Sequence, residues 1–163
     1  MTLKLTDIRV LQSQLDERIM INHGVTRQET RLKRILALMV EIGELANETR
    51  TFKFWSFKKP SEKAVLLEEL GDCVHFAVSL GIDLGDGRES LAFSPKSDPL
   101  SEQFIDWMNE CAKLKTDFTL AQYEIVLAYI GSVALAMGFD AQDVTEFYLK
   151  KNEINHSRQD KQY

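Results

Sequence analysis

The 163-residue sequence has little of what marks the more specialised classes of protein. Its only cysteines are Cys73 and Cys111. Two thiols make no disulfide framework and cannot complete a structural zinc site alone. In apolar, helix-like surroundings they read as reduced core residues, the pattern of a cytoplasmic chain. Positive charge is not in excess: 20 Lys and Arg stand against 25 Asp and Glu, a formal net charge of −5. That balance argues against a nucleic-acid backbone as the main partner. The longest apolar stretch, residues 125–139, falls short of the ~20 residues that cross a bilayer. No signal-like apolar segment follows the N-terminal charges. Sustained period-two alternation is missing, and so are internal repeats and low-complexity segments. What remains, 44% hydrophobic and 28% charged, is a single soluble domain with no membrane partner and enough length to bury a core.

Helical periodicity fills the sequence and predicts an all-α, single-domain bundle of about six helices over residues 1–163. The first runs from Asp7 to about Ile21 on a stripe of Ile8, Leu11, Leu15 and Ile19. A second follows Val25 and reaches about Thr49. A third follows Pro60 and Ser61, with Ser61 as its cap, and reaches about Leu84. "GDGRESLAFSPKSDP" reads as a loop, and Asp98-Pro99 opens a fourth helix to about Lys115. "TLAQ", at residues 119–122, has capping-box spacing and opens a fifth helix ending near Gly138. Asp140 caps a sixth that continues into the polar tail. The fifth helix is apolar nearly all round, so it is either central to the bundle or covered by a second chain.

Against this background "LLEELGDCVHF", residues 66–76, stands out. Glu69 and Asp72 sit three residues apart, on one helix face, among Leu66, Leu70 and Cys73. "MVEIGEL" repeats the arrangement with Glu41 and Glu44 among Leu38, Ile42 and Leu45. A lone E-x-x-E is ordinarily a solvated face, but two such pairs inside apolar stripes on consecutive helices are not. Four carboxylates turned inward repel one another, and each pays several kcal/mol of desolvation unless compensated. Protonating all four at neutral pH is hard to sustain, and the adjoining faces offer few Lys or Arg. A hard divalent cation is the remaining solution, and Mg²⁺ suits carboxylates that leave room for water and phosphate. Gly71 adds to the case, since a helical glycine costs ~1 kcal/mol against Ala and often marks a close approach. Glu48 and Glu68 read as peripheral.

In the tail, Lys151, Asn155 and Arg158 fall at i, i+4 and i+7 on one helix face. Two cations flanking an amide suit a polyphosphate, with Arg chelating oxygens and Lys acting as a mobile point charge. Acids to hold Mg²⁺ and bases to hold phosphate are complementary half-sites. Lys150 reads as surface.

The residues Glu41-Ile42-Gly43-Glu44 and Glu69-Leu70-Gly71-Asp72 resemble the E-x-x-E and E-x-x-D signature of the all-α nucleotide pyrophosphatase superfamily, which includes the MazG-type enzymes. Within it the sequence is most similar to the dimeric all-α dUTPases of bacteria, phages and trypanosomatids. "LQSQLDERI", "EIGELANETRTFKFWS", "EELGDCVHF", "KKNEINHSRQ" and the terminal "DKQY" carry the likeness, from Leu11 to Tyr163. The resemblance implies that Glu41, Glu44, Glu69 and Asp72 bind Mg²⁺, two or three ions per site with Mn²⁺ as a substitute, and that Glu41 is the base that activates water. Trp55 resembles the family's aromatic residue near the uridine. His75 and Phe76 match nucleoside-pocket positions, and Gln12 and Asp16 match positions that read the uracil and its sugar, where the family often has Asn in place of Asp16. Lys151, Asn155, Arg158 and Tyr163 complete the implied substrate site.

The implied function is Mg²⁺-dependent hydrolysis of dUTP, and of dUDP, by a cytoplasmic homodimer, with cleavage between the α and β phosphates. Two other readings are open at this level. One is a related pyrophosphatase acting on dCTP or non-standard nucleoside triphosphates. The other is a non-catalytic helical module that binds nucleotide or protein.

Overall fold

The computed structural model describes residues 2–161. Tyr163, assigned by resemblance to the substrate site, lies outside them. Six helices follow one another: α1 Leu5–His23, α2 Arg27–Thr49, α3 Lys63–Asp83, α4 Leu100–Lys113, α5 Leu120–Ala136 and α6 Ala141–Asp160. The all-α reading holds, with boundaries within about two residues of the predicted ones. Local chemistry sets several ends. Thr26 and Glu29 form a reciprocal capping box at the start of α2, the Thr26 hydroxyl accepting from the Glu29 amide at 3.2 Å and the Glu29 carboxylate from the Thr26 amide at 2.8 Å. Asp140 and Asp143 do the same for α6. Gly24, at φ +61°, closes α1 in the left-handed conformation that glycine adopts without penalty.

Two expected caps differ. Ser61 does not cap α3; the N-cap is Glu62 without a side-chain bond, and the Ser61 hydroxyl donates to Glu48 instead. Thr119 caps α5, but the Gln122 side chain turns away from a reciprocal bond and donates to Glu110 on α4 at 2.8 Å.

The core is the meeting of α2 and α3, joined by α4 and α5 on one side and α1 and α6 on the other. Leu38, Ile42 and Leu45 of α2, Leu70, Cys73 and Ala77 of α3, Trp107 and Cys111 of α4, and Val126, Ile130 and Val133 of α5 are all fully buried. Each large aliphatic side chain removed from water contributes about 1.5–3 kcal/mol. Both cysteines are free and buried, as expected. The fifth helix is central rather than waiting for a partner, because its own chain covers most of it. A stripe of unpartnered apolar side chains lies instead on α2, where Leu32, Leu36 and Val40 recur every four residues in contact with solvent.

One feature was not legible in the sequence. Thr2–Lys4 (β1) pairs antiparallel with Ser90–Ala92 (β2), Leu3 opposite Leu91, and ties the N-terminus to the connection between α3 and α4. Three-residue strands are too short to show alternation. Among the described residues no single helix is long and apolar enough to cross a membrane.

Candidate active site

The acid residues of α2 and α3 converge. Glu41, Glu69 and Asp72, all half-buried, each present a carboxylate oxygen within 4.8 Å of the others. Their helices bring them together because Ile42 and Leu45 on α2 and Leu70 and Cys73 on α3 are locked into the same core. Glu44 is more exposed and stands at the edge of this triad, bonding to Glu41.

Burial, then repulsion from Asp72, Glu44 and Glu69, pushes the Glu41 pKa up to about 8. The same causes raise Glu69, burial first and then Asp72 and Glu44. Burial also raises Asp72, but there Lys151 opposes it. The Lys151 ammonium reaches down from α6 to Asp72 at 2.8 Å and Glu68 at 2.9 Å. Burial works against that charge, yet its two carboxylate bonds outweigh burial and hold its pKa above the ordinary value. Few cations adjoin the acids; Lys151 comes to them from the far end of the chain and makes Glu68 part of the site's rim. Glu41 and Glu69 stay raised despite the Lys151 ammonium, so it does not balance the group. An all-oxygen donor set, half-buried and short of positive charge, fits a hard divalent cation such as Mg²⁺.

Beside the acids opens a cavity of about 300 Å³, whose wall includes Gln12, Asp16, Asp72, His75, Phe76 and Asn155. Its polar side chains are wired together. Gln12 donates to Asp16 at 2.8 Å, and its carbonyl oxygen lies 2.6 Å from His75 Nδ1 and 3.0 Å from the Tyr148 hydroxyl. The Ser79 hydroxyl donates to Asp16 at 2.6 Å, and Arg27 pairs with the same carboxylate at 3.1 Å. The His75 ring stacks on Tyr148 with centroids 4.3 Å apart. Burial and then the Lys151 charge push its pKa down to about 3, against the Tyr148 carbonyl, which favours a proton. His75 is therefore neutral at physiological pH. Below the cavity Arg34 clamps Asp83 at 2.6 Å, a buried pair that pins α2 to α3.

A family model described as dUTPase matches residues 4–163. The chain belongs to the dUTPase family. It is accordingly an enzyme, a dUTP diphosphatase, and the reading as a non-catalytic module falls away. A search of curated proteins returns no match.

Measured against this dUTPase assignment, the structure gathers Gln12, Asp16, His75, Phe76 and Asn155 around one cavity, with Asp72 shared between it and the acid triad. Lys151 stands on the acids, and the Arg158 charge bears on both Glu68 and Asp72. Trp55 is not among them. It sits on the loop between α2 and α3, largely exposed, with Phe52 and Phe54 edge-on to its ring at 6.1 and 5.1 Å. Gly71 is also not a point of close approach, since a Cβ there would meet no atom within 4 Å. Sequence reasoning passed over Tyr148, Ser79, Arg27 and Arg34. For Ser79 a signal was available: Gln12 and Asp16, and His75 and Ser79, are i, i+4 polar pairs within buried stripes, as the acids are at i, i+3.

Proposed function

We propose that this dUTP diphosphatase is Mg²⁺-dependent and opens the bond between the α and β phosphates of dUTP, releasing dUMP and pyrophosphate, and that it also takes dUDP. One observation carries the reading: Asp72 is at once a member of the acid triad and part of the wall of a nucleoside-sized cavity. A nucleotide whose base lies against His75 and Phe76 would extend its phosphates toward Glu41, Glu69 and Asp72. These three carboxylates, with Glu44 at their edge, would hold two or three Mg²⁺ ions, or Mn²⁺ in their place, which would screen the polyphosphate charge and make phosphorus more electrophilic.

In this scheme Glu41 is the base. A water oxygen forms a bond to phosphorus, the bridging oxygen departs with the pyrophosphate, and the proton of the water passes to the Glu41 carboxylate. In the metal-free protein burial and the neighbouring carboxylates raise the Glu41 pKa to about 8; bound cations would lower it and leave the carboxylate free to accept the proton. Lys151 exchanges Asp72 for a phosphate oxygen, joined by Asn155 and Arg158 from the same helix. Trp55 would meet the nucleoside from the α2–α3 loop, while Tyr163, which the resemblance assigns to the substrate site, lies outside the described residues.

We also propose a cytoplasmic homodimer. The exposed Leu32, Leu36 and Val40 supply a stripe for a second copy, and light scattering that gives a monomer at micromolar concentration contradicts it. Purified protein should release pyrophosphate from dUTP with Mg²⁺, and Glu69→Gln should lower turnover by several orders of magnitude. Unimpaired turnover in that variant removes the acids from the reaction. A panel of dUTP, dCTP, dTTP and UTP tests the competing preference for dCTP or other triphosphates.

A further inference from the structure

The α2–α3 loop turns its aromatic rings outward. Phe52, Phe54, Trp55 and Phe57 are all exposed, Phe54 and Phe57 almost wholly. Exposed rings contribute little by burial, so the shape of this loop rests on its polar bonds. Arg50 is the hub of them. Its carbonyl accepts from the Lys53 amide at 2.9 Å, and its guanidinium donates to the Ser56 hydroxyl at 2.7 Å and the Lys58 carbonyl at 3.2 Å. The Ser56 hydroxyl also accepts from the Lys58 amide at 3.3 Å. The chain on both sides of Trp55 is thus tied to one residue. The backbone of that residue is strained. Arg50 lies at φ 58° and ψ 15°, the left-handed conformation. Among the described residues it is the one non-glycine with positive φ; the others are Gly24, Gly85 and Gly138. A Cβ is disfavoured there, and helix ends of this kind ordinarily take Gly or Asn. Such strain persists where the surroundings make use of the residue, and here the use is the grip on Ser56, the neighbour of Trp55.

Resting on the proposed contact of Trp55 with the nucleoside, we infer that Arg50 is a positioning residue. It fixes the α2–α3 loop in its binding shape before a nucleotide arrives, and so determines where the Trp55 ring stands. A loop already ordered loses no further conformational entropy on binding, whereas a loop without its hub must be ordered at that moment. The acid triad stands on α2 and α3 rather than on the loop. Loss of the hub therefore weakens capture of the nucleotide and spares the chemical step.

Two substitutions separate the grip from the backbone. Arg50→Gly removes the grip and relieves the turn, because glycine adopts positive φ freely. Arg50→Lys loses the forked grip but keeps the strained backbone. Both should raise KM for dUTP, by roughly fivefold to a hundredfold if the whole stacking contact is lost, with kcat within about twofold of natural. Stability should part them: Tm stays close to natural in Arg50→Gly and falls by about 2–4 °C in Arg50→Lys. A residue that merely supported the fold would move KM and Tm together. On a Trp55→Ala background Arg50→Gly should add no further rise in KM. The direct readout is the fast anisotropy decay of tryptophan emission in nucleotide-free protein. It should be small in the natural sequence and grow in both Arg50 variants, while the fully buried Trp107 contributes none. Ser56→Ala removes one partner of the guanidinium at a position without positive φ, and should show the same fast component even if neither Arg50 variant folds. A large fast component already present in the natural protein overturns the inference. So does a Trp55 no more mobile in the variants, or a KM that follows Tm across them. Failure of dUTP turnover in the natural protein would instead strike the proposed function, because the anisotropy is read without nucleotide.

Discussion

Replacing Glu41 by Gln should stabilise the metal-free protein at alkaline pH while destroying its activity. The Glu41 carboxyl is lifted from 4.5 to about 8 by burial and by the neighbouring carboxylates. For an acid raised on folding, the native state holds the proton more tightly than the unfolded chain, so stability is lost as pH rises from about 4.5 through 8. Taken at full value, that rise corresponds to ~5 kcal/mol above pH 8. The carboxyl is only half-buried, and solvent screening reduces the net cost to about 2 kcal/mol. At about 2–4 °C per kcal/mol for a domain of this size, the Tm gain is ~4–8 °C. The assay is thermal unfolding in EDTA across pH 4 to 9 at fixed protein concentration. The natural protein should lose Tm over that interval and Glu41→Gln should lose much less, the two meeting near pH 4. Adding Mg²⁺ should raise the Tm of the natural protein at pH 8 and leave Glu41→Gln nearly unmoved. Equal Tm values at pH 8.5 in EDTA would refute the view that the cluster is held together against its own charge.

Lys151→Met should weaken dUTP binding, raising KM, while tightening Mg²⁺ binding to the substrate-free protein, because the ammonium no longer competes for Asp72; calorimetric titration reads the second effect. Iodide should quench Trp55 and spare the fully buried Trp107, and a saturating nucleotide should protect Trp55 if its loop closes over the site. Gly131→Ala should cost about 1–3 kcal/mol, since the added Cβ would lie 2.8 Å from the Phe93 side chain; denaturant unfolding measures it.

The sequence made the six helices and the inward acids legible for one reason. Both are patterns within a single helix, where apolar stripes and their interruptions recur every three or four residues. Glu41, Glu69 and Asp72 could be placed together because each pair had to face the core that its neighbouring leucines define. Relations between segments distant in the chain were not available in the same way. Lys151 lies 79 positions beyond Asp72, and nothing local announces that it reaches back to that carboxylate at 2.8 Å. Glu44 bonds to Glu41 but is more exposed than it, for a related reason. Two residues three apart share a face, but that face is wider than the seam between α2 and α3, so Glu41 lies deeper in it and Glu44 at its edge. Trp55 was named from resemblance, and a loop conformation with its ring exposed has no counterpart in periodicity.

The two ends of the site are built on opposite electrostatic terms. Around the cavity, Asp16, Gln12, Ser79, Arg27 and Arg34 satisfy one another. Polar groups already paired with one another need little rearrangement when a ligand arrives, which suits a site that discriminates between nucleotides under the proposed function. At the acid triad, Glu41, Glu69 and Asp72 share too little positive charge, and Lys151 pairs with Asp72 alone of the three. An under-neutralised cluster gains most when cations arrive, so under the proposed function binding energy would be released where the phosphates react. The two ends are joined by less than one turn of α3, from Asp72 to His75, between the fully buried Cys73 and Val74. A substitution that shifts this turn, such as Val74→Ala, should therefore disturb base selection and turnover together. A variant that lost one and kept the other would show that the turn does not couple them.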